Sequence, residues 1–157
     1  MEKIGDQVLY VGPVGAGTVA KLAALCASFA IQAALAEVFT LGVKAGVEPL
    51  ALFRALRQGA TGRKRTFDRL AEHFLPGVYD PPAFTVRLAH KDMKLALELA
   101  AEHQVPMQVG KVALDELDEA MQRGWGERDC RVSMTLQEER AGVSVRVPRE
   151  RLENLPD

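Results

Sequence analysis

Between Val19 and Val43, nineteen of twenty-five residues are apolar; the exceptions are Lys21, Ser28, Gln32, Glu37, Thr40 and Gly42. The charge-free stretch inside it, Leu22 to Ala36, is fifteen residues long. A bilayer crossing needs roughly 20, so the segment predicts a buried helix and not a membrane span. Ala dominates it, which favours helix and lets neighbouring helices approach closely. Gly46 and Pro49 supply stop signals, so the helix runs from about Gly17 to Ala45, roughly 29 residues and about 43 Å long. A chain of 157 residues folds to only about 40 Å across. Such a helix therefore crosses the whole domain or projects from it, and other surfaces must cover its apolar sides. One core is what this length can build. With 48% hydrophobic and 26% charged residues, wholesale disorder is excluded. A net charge of −1 gives no field toward nucleic acid or anionic lipid, so neither is expected as a partner. Two cysteines make no disulfide framework, and the opening MEKIGDQVLYV has no secretory apolar region, which together make the cytoplasm the expected compartment. No metal site is expected.

The rest of the chain also reads as helix. Val8 to Val11 is a short extended lead into the glycine-rich turn GPVGAG. A second helix, Pro49 to Gln58, opens on proline and carries Leu50, Phe53 and Leu56 at spacings of three. A third covers roughly Lys64 to Phe74, closed by Pro76 and Gly77, and Asp80-Pro81-Pro82 is a loop. Phe84, Leu88, Lys91, Leu95 and Leu99 then form one stripe of a helix reaching about His103. Pro106 starts another with Val109, Val112, Ala113, Leu117 and Ala120 inward and Gly124 just past its end. Asp129 caps a last helix to Arg140, stopped by Gly142. The remainder, from Val143 to Asp157, is a surface tail. No strand series appears, so the fold class is all-α: a helical bundle built around one Ala-rich helix.

Two signals carry chemistry. Gly15, Gly17 and Ala20 fit G-x-G-x-x-A, a superficial dinucleotide fingerprint. A Rossmann unit needs a helix of ordinary length, a second parallel strand and an acid about twenty residues on, and this helix continues through Glu37, so the glycines read as a hinge. Lys21 sits in the first turn of an apolar helix, on a stripe with Leu25, Ser28 and Gln32. The positive helix end and burial would both lower its pKa, which suits a lysine to proton transfer. Spacing alone leaves open a solvated lysine marking the helix's exposed edge.

These residues carry a resemblance. GPVGAGTVAKLA with the long helix behind it, FTVRLAHKDMKLALELA and the ending GWGERDCRVSM resemble the C-terminal domain of the β-hydroxyacid dehydrogenase family over about Gly12 to Gly142. The family pattern G-x-x-G-x-G-x-x-x-K is met by Gly12, Gly15, Gly17 and Lys21, and F-x6-K-D by Phe84, Lys91 and Asp92. The resemblance implies a fold like the helical halves of these dehydrogenases and a cofactor, NAD or NADP, held mainly by an N-terminal Rossmann domain in cis or in trans. It implies Lys21 as the catalytic acid or base, Gly17, Phe84 and Asp92 as substrate-binding residues, and Lys91 as cofactor-binding. It implies a small hydroxyacid as substrate, and pairing of the helical halves into a homodimer or tetramer. Residue by residue, Lys91 also reads as a lysine snorkelling between Leu88 and Leu95, with Asp92 a local surface partner.

Two departures qualify this. Leu25 stands where the family has Asn, one turn beyond the lysine, and Leu neither donates nor accepts a hydrogen bond. GATGRKRTF lacks the family's Ser and Trp and instead contributes Arg63, Lys64 and Arg65 to a basic cluster with Arg54, Arg57 and Arg69, read as a solvated face. With no Rossmann sequence in the 157 residues, the chain reads as half an enzyme, inactive alone. The alternative is a non-catalytic dimerisation or binding module derived from that scaffold.

Overall fold

The computed structural model describes residues 9–59, 62 and 68–152, except the side chains of 23, 25, 26, 28, 29, 68 and 69. The start of the expected third helix, the residues Arg63, Lys64 and Arg65, and the side chains of Leu25 and Arg69 lie outside the described residues. The chain divides into two compact units, Met1–Ala36 and Glu37–Asp157. Among the described residues every regular element is helical: α1 (Ala16–Lys44), α2 (Pro49–Gln58), α3 (Asp68–Glu72), α4 (Val86–Glu102), α5 (Gln108–Gln122), a 3-10 turn (Cys130–Met134), α6 (Thr135–Ala141) and α7 (Arg149–Leu152). Among the described residues the one β-type contact is an isolated antiparallel bridge between Thr85 and Asp129.

In the first unit, Leu9 to Val11 leads through a turn into α1. Gly12 and Gly15 have φ of +138° and +95°, conformations that a side chain disfavours, so the backbone explains both. Helix α1 starts with Ala16 N–H donating to Pro13 O and Val19 N–H donating to Gly15 O. Val19 and Leu22 are exposed.

In the second unit, α4 and α5 pack antiparallel and enclose two apolar clusters. One joins Tyr79, Val86, Leu117, Ala120 and Val132, flanked by Ala89, Met93, Met121, Trp125 and Cys130. The other joins Leu41, at the end of α1, to Ala100, Val105 and Met107. Leu41 is thereby buried within the second unit's own core. The final turns of α1 also neutralise two helix ends. Glu37 accepts from the amides of Val109 (2.9 Å) and Gly110 (3.1 Å) at the start of α5, whose own N-cap, Met107, offers no side-chain bond. Lys44 donates to His103 O (2.9 Å) at the end of α4. Each charge sits at the helix end whose dipole favours it.

The inward faces differ from expectation. Val86, Ala89, Met93, Leu97 and Ala100 turn α4 toward the core. The stripe of Phe84, Leu88, Leu95 and Leu99 is exposed, as are Val109, Val112 and Ala113 of α5. Helix α4 is apolar on two sides, and among the described residues only one of them finds partners. Residues 143–152 are mostly exposed but tied down. Glu138, buried at 7% exposure, is held by Arg146 (2.8 Å) and the amide of Val145, and Val147 N–H donates to Leu75 O.

Candidate functional site

The proposed site residues fall in both units. Gly17 and Lys21 lie in the first, one helical turn apart on α1, and both are exposed. Burial, one of the two effects expected to act on the Lys21 ammonium, is therefore not supplied by the described chain. Gly17 differs from the other motif glycines. Its φ is not positive, and a Cβ built on it would meet nothing within 4 Å. Among the described residues neither backbone nor packing demands glycine there, whereas close approach by a ligand would.

Phe84, Lys91 and Asp92 lie in the second unit. Phe84 immediately precedes Thr85, whose hydroxyl caps α4 by accepting from Leu88 N–H. Lys91 and Asp92 form an ion pair at 3.2 Å with both side chains exposed, a geometry worth little to stability. The first amides of α4 are already taken. Val86 N–H donates to Arg128 O at 2.9 Å and Arg87 N–H to Gly126 O at 3.0 Å. With these amides satisfied, the N-terminus of α4 is not an anion site, and charge presented to a ligand by this helix comes from its side chains.

Asp129 is the residue whose role sequence reasoning missed. It was expected only as a helix cap, and it does cap the 3-10 turn by accepting from Arg131 N–H (3.1 Å). It is also fully buried, at 0% exposure. Its carboxylate accepts from Ala83 N–H (3.0 Å), Phe84 N–H (3.3 Å) and the Arg131 guanidinium (2.7 Å). Burial pushes the carboxyl up, but the bonds from Arg131 and the Ala83 amide outweigh it and hold Asp129 below its ordinary value. The local signal, an Asp ahead of a helical turn, was visible; partners some 45 positions upstream were not. Elsewhere His90 bridges α4 to Asp118 of α5 at 2.7 Å. Among the described residues no cluster of His, Cys, Asp and Glu could hold a metal ion, and no helix is long and apolar enough to cross a membrane.

Comparison with known proteins gives a consistent result. Residues 15–135 match the family described as NAD-binding of NADP-dependent 3-hydroxyisobutyrate dehydrogenase. The chain is 30% identical over 142 residues to 2-(hydroxymethyl)glutarate dehydrogenase of Eubacterium barkeri, covering 90% of this chain and 47% of that protein. It is 32% identical over 121 residues to 3-hydroxyisobutyrate dehydrogenase of Pseudomonas aeruginosa, covering 72% and 40%. The chain thus spans less than half the length of these relatives. In fold it is similar to a reductive aminase from Aspergillus terreus, with a TM-score of 0.66 at 20% identity over 82% of this chain and 46% of that one.

Proposed function

The chain belongs to the NAD-binding family of NADP-dependent 3-hydroxyisobutyrate dehydrogenases, a family whose cofactor is a nicotinamide dinucleotide, and from that premise we propose that it is the helical C-terminal half of a dehydrogenase. The reaction interconverts a small β-hydroxyacid and its semialdehyde or keto acid. The observation that carries this is the pairing of Gly17 with Lys21: a glycine required by neither conformation nor packing among the described residues, one exposed turn from an ammonium, in the family's motif order.

When bound, the dinucleotide supplies the hydride acceptor for oxidation and the donor for reduction. In oxidation the neutral amine of Lys21 takes the substrate hydroxyl proton as the carbinol hydride leaves, and the hydroxyl oxygen becomes the carbonyl. In reduction the Lys21 ammonium returns a proton to that oxygen. Gly17 gives the substrate room beside α1, and Phe84 and Asp92 are the second unit's substrate-binding residues by the family's motif. With the first amides of α4 satisfied, a phosphate or ribose edge would be held by side chains of that helix; Arg87, Lys91 and Lys94 are all exposed on it, and the family's motif assigns the role to Lys91. Most cofactor contacts come from a Rossmann domain, in cis or in trans.

The test joins this chain to a nucleotide-binding half of the family and follows reduced nicotinamide with small β-hydroxyacids. Turnover in the joined protein and none in either half supports the reading; no turnover with any β-hydroxyacid contradicts it. Leu25, in place of the family's Asn, favours a second reading, a scaffold kept for association after its chemistry was lost. Leu25→Asn separates the two. It raises substrate affinity or turnover in an enzyme and changes nothing in a non-catalytic module.

A further inference from the structure

Phe84 is held in an unusual way for a surface residue. The residue is 40% exposed, yet both polar groups of its backbone are fixed from within the fold. Its N–H donates to the buried Asp129 carboxylate, and its carbonyl accepts from Cys130 N–H at 2.8 Å. Ala83 N–H donates to the same carboxylate oxygen. Around this point Asp129 N–H donates to Tyr79 O and Val86 N–H to Arg128 O, both at 2.9 Å, so residues 79–86 are laced to residues 128–130. The Asp129 charge is balanced by Arg131, and His73 Nε2 lies 3.6 Å from its Oδ2. A neutral cap would satisfy the 3-10 turn. A buried carboxylate that binds two amides of a distant loop as well does something the turn alone does not require.

We infer that Asp129 is a positioning residue: its carboxylate fixes the Ala83–Phe84 backbone and thereby the place at which Phe84 is presented and α4, the carrier of Lys91 and Asp92, begins. The functional half of this inference rests on the dehydrogenase reading above; the structural half does not. Lys91 follows Phe84 by seven positions, two helical turns, so an error at the start of α4 moves the whole face.

The experiment compares wild type with Asp129→Asn, which keeps the size of the side chain and removes its charge. Amide hydrogen exchange on this chain is read at Ala83 and Phe84 against Leu117 and Ala120 in the core of α5. The expected result is a loss of protection at Ala83 and Phe84 roughly tenfold or more beyond that at the α5 amides. Equal loss everywhere would mean simple destabilisation and overturn the inference. If Asp129→Asn does not fold, Arg131→Lys weakens the carboxylate's anchor and should show the same ranking at smaller size; an unranked loss there overturns it equally. In the protein joined to its nucleotide-binding half, Asp129→Asn should raise KM for the hydroxyacid about tenfold while kcat stays within about threefold. A merely structural role lowers the active fraction, hence kcat, and leaves KM in place; that pattern would also overturn the inference. Absence of wild-type turnover would count against the dehydrogenase reading, and the exchange comparison would then decide the positioning role by itself.

Discussion

Tyr79 buries its ring in the main core, with a hydroxyl that has no hydrogen-bond partner among the described residues. Burial raises its pKa, with Arg146 and Arg128 pulling the other way. Because the hydroxyl is desolvated without compensation, Tyr79→Phe should leave stability unchanged or raise it by up to about 1 kcal/mol in urea unfolding. Asp129 behaves oppositely. Its folded pKa lies below the unfolded value, about 3.9, so its contribution is present above that pH and is lost as pH falls through the lower folded value. The stability gap between wild type and Asp129→Asn should therefore be full near neutrality and shrink below about pH 4; unfolding curves across that range check it. At this scale the sequence was readable where chemistry is local. Lys21 and Gly17 stand out by spacing along one helix. The hydrogen bonds from Ala83 and Phe84 to Asp129 join positions that only the tertiary fold makes neighbours.

Helices α2, α4 and α5 and the end of α6 were legible to within a few residues because their caps and stops are local: Pro49 opens α2, Thr85 caps α4, and Gly142, at φ +64°, closes α6; the short α7, inside the expected tail, was not foreseen. Which face of each helix turns inward was not. Helix α4 carries two apolar stripes, and periodicity cannot say which one meets the chain's own core and which is left for something else. The end of α1 shows how elements are joined. Gly42 permits close approach, since a Cβ there would lie 2.5 Å from Leu52 of α2. Glu37 and Lys44 sit two turns apart and serve the start of α5 and the end of α4. Glu37→Ala leaves two amides of α5 without a cap and should cost about 1–2 kcal/mol, measured by chemical denaturation. No loss of stability would mean that water replaces the cap without penalty.

For the whole molecule, apolar surface is the main fact. Leu35 and Val38 of α1, and Leu88, Leu95 and Leu99 of α4, are all exposed. Soluble monomers seldom leave so much uncovered, and a two-fold copy or the nucleotide-binding half would cover it. We expect a homodimer at micromolar concentration; light scattering that returns only a 17.1 kDa particle would contradict this. The chain alone should bind NADH or NADPH no better than about millimolar, as calorimetry can test, because a dinucleotide needs the amides of a Rossmann turn. The account stands most directly on Lys21. In the chain joined to a nucleotide-binding half, Lys21→Met keeps the side chain's stem and removes its proton-exchanging amine. Steady-state turnover should fall by roughly 10² to 10⁴ with helix content unchanged, whereas turnover within about threefold of the unsubstituted protein would contradict the account.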